Sequence, residues 1–327
     1  MKITYLQLFV LLLSSIVIIS GFTVAYSERK NLSTKLIVCS DDFYFVHITD
    51  THVMHKIFDR NEIFKNRLES VLNKVRSFDN EPAFVVISGD LVEWGGFGLT
   101  GALNCISFVN CFYKREEQLY LDSDCTVPVY TTPGNHDYRW GTKLSNYHRF
   151  IDPNHVEDKD RYVIDYENLS LFFLDSGHDY LLNPFEWVRS DGLHVKGSGL
   201  CDDSIIWLNS SLNSCESIHK IVLMHHPAIS ERDGFGKMLD VLARNREEFI
   251  ELCEYHDVDV VLTGHTHRGT VFDGGENMYN GLLNCSMFST LYVNTNDCKT
   301  DCAYRNITIL GNDIWLEPGM TVFCDFS

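Results

Sequence analysis

The chain is poor in basic residues. Among its 327 residues, 27 are Lys or Arg and 45 are Asp or Glu, which gives a formal net charge of -18 at pH 7. An acidic surface repels the phosphate backbone, so no nucleic-acid partner is expected. Metal cations, and small anionic substrates held by such cations, remain compatible with this charge. With 45% hydrophobic residues the chain can bury a full core, as one large domain or as two.

Charged side chains are also absent from residues 3–27. Within this stretch, Leu6–Ile19 is nearly all aliphatic, long enough for the apolar region of a signal peptide and marginally long enough to span a bilayer. A core helix is the alternative, but the stretch is terminal and has no polar face. Thr23, Val24 and Ala25 offer a cleavage site. We therefore expect residues 1–26 to be a signal peptide or an N-terminal membrane anchor, with membrane attachment through residues 3–25 in the second case.

Paired Cys-x-x-Cys zinc patterns are missing, although the chain has 11 cysteines. So many cysteines are unusual in a reducing compartment, and disulfides are favoured. The count is odd, and Cys253 sits in an apolar helical run, so we expect up to five disulfides with Cys253 as the buried free thiol. Export would place the protein in the secretory lumen, at the cell surface or outside the cell. Five glycosylation sequons agree with this location: Asn31, Asn168, Asn209, Asn284 and Asn306.

No internal repeat or low-complexity tract occurs, and the dominant pattern is a series of apolar strands that end in polar side chains. Strands are predicted at residues 43–49, 83–88, 127–131, 221–224 and 258–262. The residues that follow them are, in order, Asp50 and His52, Asp90, Asn135 and His136, His225, and His265 and His267. Because ligands collect at the carboxyl ends of parallel strands, we expect these side chains to meet.

These residue types together indicate a metal site. The amide oxygen of Asn135 is a hard ligand, and His136 beside it would be left to face a substrate. Pro133-Gly134-Asn135 alone could be an ordinary turn, and a single histidine after a strand is more often a structural polar residue than a ligand. Five strand ends in series argue against coincidence. A mixed imidazole and oxygen set suits divalent Mn, Fe, Zn or Ni and is too rich in nitrogen for calcium.

The remaining elements are predicted to form a scaffold around this series. Asp59 and Glu62 could form a capping box for the helix that follows. Further predicted elements are an antiparallel pair at 162–166 and 169–175, helices at 202–212 and 238–255, and strand-like, turn-rich chain from 270 onward, with Cys298 and Cys302 close enough for a local bridge. Residues 95–125 form an insert that is either a lid over the site or a crossover helix with a stapled loop.

The motifs Asp50-Thr-His52, Gly89-Asp90, Gly134-Asn135-His136-Asp137, His225-x-Pro227 and Gly264-His265-x-His267 resemble, in order, those of the calcineurin-like metallophosphoesterases. The match covers residues 43–270. It implies an α/β fold, a four-layer αββα sandwich with mixed parallel and antiparallel sheets. The domain would run from 43 to 327 after a linker at 27–42, with C-terminal strands at 275–327.

The same resemblance implies two metals bridged by Asp90. One would take Asp50, His52, Asp90 and His267, and the other would take Asp90, Asn135, His225 and His265, leaving His226 as a neighbour. A metal-bridged hydroxide would attack the phosphate, because bound metals lower the pKa of water. His136 would protonate the leaving oxygen, and Glu93 would orient His136 or else be a solvated rim residue.

Differences between this chain and particular members of the family reduce the number of subfamilies to which it could belong. Purple acid phosphatases have a tyrosine at the position of Glu93 and no equivalent of His52, and Ser/Thr protein phosphatases have a glutamate at the position of Asp137. The chain is more similar to phosphodiesterases and exported, cysteine-rich phosphoesterases. We therefore expect an exported dinuclear-metal phosphoesterase acting on a small phosphorylated substrate, a phosphodiester or nucleotide-like molecule. The alternative is a surface recognition protein that retains the fold with weak or no activity.

Overall fold

The structure is a computed structural model of the chain, and it describes residues 42–96, 98–112, 127–139, 141, 144–152, 161–177, 198–231 and 241–323. The predicted signal or anchor segment lies outside these ranges, as do parts of the insert at 95–125. Among the described residues, no helix is long and apolar enough to cross a membrane.

One mixed sheet is built around the first three strands of the described chain. Its members are β1 (Asp42–Ile48), β2 (Val85–Ser88), β3 (Val129–Thr132), β10 (Leu283–Asn284), β12 (Ala303–Leu310), β13 (Asp313–Leu316) and β14 (Met320–Thr321). The order is β10-β13-β12-β1-β2-β3, with β14 beside β12. Strands β1, β2 and β3 are parallel, whereas β12 is antiparallel to β1. The carboxyl ends of β1, β2 and β3 therefore lie at the same edge.

The second mixed sheet repeats this design. It contains β4 (Arg161–Tyr166), β5 (Leu169–Leu174), β6 (His219–Leu223), β7 (Val260–Thr263), β8 (Thr270–Asp273), β9 (Met278–Tyr279) and β11 (Leu291–Asn294). The order is β4-β5-β6-β7-β11-β8-β9. Strands β5, β6, β7 and β11 are parallel, and the flanking strands are antiparallel. Four strand ends thus share one edge of this sheet too.

The longer helices pack on the sheets, and the shorter ones lie in the segments that follow the strands. They are α1 (Ile63–Arg76), α2 (Gly98–Asn110), α3 (Asn135–Tyr138), α4 (Ser145–Phe150), α5 (Asp202–Asn213), α6 (Arg246–Tyr255) and α7 (Cys298–Asp301), with a 3-10 turn at Cys285–Met287. Helix α1 buries Leu68, Val71, Leu72 and Val75, a spacing typical of a helix packed on one face. Helices α5 and α6 pack through Leu208 and Phe249 against the second sheet. The predicted four-layer αββα sandwich with mixed sheets is confirmed.

The central core lies between the two sheets. Phe45 and Phe84 from the first sheet and Leu171, Phe173 and Leu262 from the second are each at most 1% exposed. All six residues of β5 are buried, because one face of this strand meets the central core and the other meets the helices. This explains why the strands before the polar residues are continuously apolar and not alternating.

Two local predictions about helix starts were wrong. Helix α1 begins at Ile63, and its N-cap residue Glu62 has a left-handed backbone (φ 48°) with no side-chain cap, so Asp59 and Glu62 form no capping box. The helix predicted at 238–255 begins at Arg246: residues 241–245 are irregular, and 238–240 lie outside the described ranges. At both helix starts the N-cap residue, Glu62 or Asn245, has a left-handed backbone that is not part of the helix.

The cysteines differ from the prediction. No disulfide joins any two of the cysteines that the structure describes, so the expected local bridge between Cys298 and Cys302 is absent. Cys253 is a buried free thiol, as predicted, in the face of α6 that packs on the second sheet. Burial raises the pKa of the Cys253 thiol well above its ordinary value, so this cysteine behaves as a small apolar core residue.

We predict that Phe249→Ala lowers the free energy of unfolding by about 3–5 kcal/mol, because the fully buried ring leaves a cavity between α6 and the second sheet. Tyr255 is a matched control in the same helix, since its side chain is 80% exposed. Tyr255→Ala should stay within about 0.5 kcal/mol of the unaltered protein. Urea denaturation of both variants measures the difference, and equal losses would contradict this packing.

Candidate metal centre

The carboxyl ends of five strands converge at one site. Strands β1, β2 and β3 lead into Asp50 and His52, Asp90, and Asn135 and His136, and strands β6 and β7 lead into His225, His265 and His267. Ligand atoms of these residues fall into overlapping groups of three, in each of which all atoms lie within 4.8 Å of one another. These groups contain eight of the nine site residues predicted from the sequence, Glu93 included, and the ninth, Asn135, joins them through its contact with His225.

Two motif glycines permit this close approach. A Cβ on Gly89 would lie 2.5 Å from Nδ1 of His225, and the backbone at Gly89 has a φ of +82°. A Cβ on Gly134 would lie 2.4 Å from Oδ1 of Asp90. Any larger residue at either position would displace a site side chain, so these glycines serve the site more than the turns that contain them.

The site also concentrates unusual backbone geometry. Five of the predicted ligands have a positive φ without being glycine: Asp50, His52, Asp90, His265 and His267. Such conformations cost about 1–3 kcal/mol each and persist where the surrounding structure enforces them. At this site they turn the side chains towards one another.

One half of the site is built from Asp50, His52 and His267. Nε2 of His52 lies 3.8 Å from Oδ1 of Asp50, and Nε2 of His267 lies 3.4 Å from the same oxygen. The other carboxylate oxygen of Asp50 accepts hydrogen bonds from the Thr49 hydroxyl and the His265 backbone N–H. Both Asp50 Oδ1 and His52 Nε2 are buried without a hydrogen-bond partner. Two such atoms that face each other mark a place for a cation.

The other half is built from Asp90, Asn135 and His225. Nε2 of His225 lies 3.3 Å from Oδ2 of Asp90 and 3.1 Å from the amide oxygen of Asn135. Nδ1 of His225 lies 2.9 Å from the Ser88 carbonyl and donates to it, which leaves Nε2 directed at the site. The His265 ring lies 5.1 Å from the His225 ring.

His136 lies at the edge of this second half. Its backbone N–H donates to Oδ1 of Asp90 at 2.7 Å, and its Nε2 is 4.0 Å from Oδ2 of the same carboxylate. Nδ1 lies 3.1 Å from the Glu93 carbonyl oxygen. The imidazole is therefore held beside the cluster.

Glu93 contacts both His52 and His136. Its carboxylate accepts from Nδ1 of His52 at 2.8 Å, whereas Nδ1 of His136 is 3.5 Å away. The side chain therefore orients His52 first, and the backbone carbonyl contacts His136. Arg139 at 2.6 Å and Lys299 at 3.2 Å flank this carboxylate, so it is no solvated rim residue.

His226 lies nearer to the site than the sequence indicated. The side chain is buried, and His226 forms with His225 and His265 one of the groups that could hold a metal ion. Nδ1 of His226 is 2.8 Å from the Ser176 hydroxyl, at the carboxyl end of β5. A sixth strand end therefore contributes to the surroundings of the site.

The sequence analysis missed Asp297 and assigned no role to Asp137. The Asp297 carboxylate accepts from Nδ1 of His267 at 2.6 Å. Asp297 follows β11, so the rule that found the other site residues applies to it as well. The buried Asp137 carboxylate accepts backbone N–H groups of Gly134 and Val92 at 2.8 and 3.1 Å, which fastens the loop after β3 to the loop after β2.

The carboxylates and imidazoles hold one another in charged forms. Burial opposes charge on Asp50 and Asp90, but the neighbouring imidazoles outweigh it and hold the pKa of each carboxyl below its ordinary value. Burial likewise opposes protonation of His52 and His225, yet the surrounding carboxylates raise the pKa of each imidazole to about 9. The site thus stabilises positive charge, which is what a cation site requires.

The comparisons agree with this geometry. The model of the calcineurin-like phosphoesterase family matches residues 43–269. A probable glycerophosphodiester phosphodiesterase GpdQ of Arcobacter nitrofigilis is 26% identical over 235 residues, 68% of this chain and 71% of that protein. The glycerophosphodiester phosphodiesterase GpdQ of Enterobacter lignolyticus is 26% identical over 233 residues, 69% and 71% of the two chains. The chain belongs to the calcineurin-like phosphoesterases.

Two solved structures share the fold. A purple acid phosphatase from yellow lupin superposes with a TM-score of 0.57 at 15% identity, over 86% of this chain and 52% of that one, so this chain spans about half its length. GAP50, described as the anchor in the inner membrane complex of Plasmodium, superposes with a TM-score of 0.52 at 13% identity, over 87% and 89% of the two chains.

Family and site together define a metallophosphoesterase, a hydrolase that acts on phosphate esters. Calcineurin-like phosphoesterases bind a dinuclear metal centre, and the clustered histidines and aspartates fit such a centre. The buried atoms of Asp50 and His52 that lack partners support the same conclusion from the chain itself.

We predict that Asp297→Ala weakens the binding of one metal ion about 10- to 100-fold, because His267 loses the carboxylate that orients its ring. The affinity of the other ion should change little. Manganese titration followed by calorimetry measures both affinities. Asp301→Asn is the matched control, since Asp301 lies in the short helix α7 that Asp297 caps, and its side chain contacts Asn296. If Asp297→Ala and Asp301→Asn bind both ions with the same affinities, Asp297 does not orient His267 for metal binding.

Proposed function

We propose that this chain is an exported phosphodiesterase that uses two divalent metal ions to hydrolyse diesters or nucleotide-like small molecules. Two relatives named as glycerophosphodiester phosphodiesterases support a phosphodiester as the substrate. Their identity to this chain is 26%, so the substrate itself is inferred as a class and not as glycerophosphodiesters. Export is inferred from the apolar N-terminus and the sequons.

The position of Asp90 carries the proposal. Oδ2 of this carboxylate lies 3.3 Å from His225 Nε2 and 3.5 Å from His52 Nε2, and therefore between the two halves of the site. One ion would be held by Asp50, His52, Asp90 and His267, and the other by Asp90, Asn135, His225 and His265. This donor set suits Mn, Fe, Zn or Ni. Two bound cations lower the pKa of coordinated water and neutralise charge at the phosphate.

His136 supplies a proton to the leaving oxygen. Its backbone bond to Asp90 and its contact with the Glu93 carbonyl fix the ring, and its Nε2 is directed towards the site without being a ligand. Protonation of the leaving oxygen by His136 helps the alcohol to depart. Departure is the difficult step when the leaving group is poor. Glu93 holds His52 in place while Arg139 and Lys299 balance its charge.

A recognition protein without turnover is the second candidate. The fold is shared with the Plasmodium anchor protein, which gives this candidate its basis. The complete set of seven ligands and His136 opposes it. Assay of manganese-loaded protein on bis-p-nitrophenyl phosphate and on p-nitrophenyl phosphate separates the two, because the proposal expects faster turnover of the diester. No turnover of either ester would favour the recognition protein.

We predict that Asp90→Asn abolishes diester hydrolysis more completely than any other single change, because only this carboxylate would serve both ions. Metal analysis should show reduced occupancy at two positions, not one. Asp79→Asn on the exposed surface is the control and should retain activity and both metals. Full activity of Asp90→Asn with two bound ions would refute the assignment.

We predict that His136→Ala retains both metal ions and slows turnover about 10²- to 10⁴-fold, the scale of general acid catalysis. The hydrolysis rate of diesters with good leaving groups should fall less than that of diesters with poor ones, because a good leaving group departs without a proton. A series of aryl and alkyl diesters measures this dependence. If the hydrolysis rates of all these diesters fall by the same factor, His136 is not the general acid.

We predict that the protein taken from its native source has entered the secretory route. Mass spectrometry of the intact chain should show either loss of about 25 N-terminal residues or retention of this segment with recovery in the membrane fraction. The sequons offer an independent readout through enzymatic deglycosylation. A full-length, unglycosylated chain in the soluble cytosolic fraction would contradict export.

A further inference from the structure

Exposed apolar side chains lie on two loops directly beside the metal centre. Ile57 is 65% exposed and Phe58 is 38% exposed, on the loop that follows His52. Trp94 is partly exposed and follows Glu93 in the chain. The rings of Phe58 and Trp94 meet edge to face, with centroids 5.9 Å apart and an angle of 80°. We refer to Ile57, Phe58 and Trp94 as the aromatic wall.

The aromatic wall is fixed to the site and is not an isolated surface patch. The Glu93 backbone N–H donates to the Val53 carbonyl at 3.3 Å, so the two loops leave the metal centre side by side. The fully buried side chain of Asn104 in α2 then ties them together, accepting from the His55 N–H at 2.9 Å and donating to the Trp94 carbonyl at 3.5 Å. A buried amide that bridges both loops holds the wall in one geometry.

The aromatic wall borders the reaction centre through the chain itself. Glu93, whose carboxylate bonds His52 and whose carbonyl contacts His136, is the neighbour of Trp94 in the chain. The loop that carries Trp94 therefore borders the place where a phosphate substituent would leave the centre. The rings of Phe58 and Trp94 and the side chain of Ile57 offer apolar surface that binds the face of a planar group. The charged residues of the metal centre offer no such surface.

We propose that the aromatic wall binds a nucleobase, or a similar planar aromatic substituent, of the phosphate substrate. This proposal deepens the proposed function, on which it rests, by assigning the class of substituent. A lipid chain fits less well, because the partly exposed rings of Phe58 and Trp94 stack best on planar groups, which an alkyl chain lacks, and because a net charge of -18 opposes contact with anionic membranes.

Equilibrium binding to the manganese-loaded chain tests the proposal. Calorimetry compares thymidine 5′-monophosphate, methyl phosphate and octyl phosphate, which present the same phosphate group with different substituents. The nucleotide should bind about 5- to 150-fold more tightly than methyl phosphate, the range expected for stacking of one base. Phe58→Ala and Trp94→Ala should each reduce this preference at least about fivefold, while Phe58→Tyr should retain it.

The controls separate this proposal from the function on which it rests. Ile206→Ser removes a side chain that is 66% exposed on α5 and should leave the preference unchanged. Hydrolysis of methyl p-nitrophenyl phosphate by the unaltered protein reports on the phosphodiesterase itself, independently of any preference in binding. Equal affinity for the nucleotide and methyl phosphate, an unchanged preference in both alanine variants, or tighter binding of octyl phosphate than of the nucleotide would each overturn the proposal.

Discussion

The buried carboxylate of Asp90 is the constraint on which the site depends. It is 1% exposed and touches groups from three other strand ends: His52 after β1, the His136 backbone after β3, and His225 after β6. A negative charge in such a place is stable only beside positive charge. The neighbouring carboxylates raise the pKa of the His52 and His225 imidazoles, so the position favours positive charge. Two divalent ions meet the same requirement and add the chemistry of phosphate hydrolysis.

The fold provides the convergence that this carboxylate requires. Parallel strands in both sheets end at the same edge, so residues far apart in the chain meet without long loops. The close approach then depends on small residues, since any side chain at Gly89 or Gly134 would occupy the place of His225 or Asp90. Asp137 closes the arrangement by bonding the loop after β3 to the loop after β2. The precision of the site therefore comes from backbone contacts as much as from the ligands.

Much of the fold and the set of site residues could be predicted from the sequence, because both follow from one repeated device, an apolar strand followed by a polar residue. Strands β1, β2 and β7 lie within two residues of their predicted bounds. Features that depend on contacts between distant segments could not be predicted. Glu93 orients His52 because the loops after β1 and β2 run side by side, a contact that no local pattern encodes. Asp297 was missed although it follows β11, because the chain beyond 270 has short strands and a weak pattern.

The most direct test of the dinuclear centre is X-ray anomalous scattering from crystals soaked in manganese. We expect two peaks, one on each side of the Asp90 carboxylate, with His52 and His267 at the first and Asn135 and His225 at the second. Asp90 should be the single side chain within bonding distance of both peaks. One peak that Asp90 does not contact, or no ordered metal at saturating concentration, would contradict a dinuclear centre bridged by Asp90.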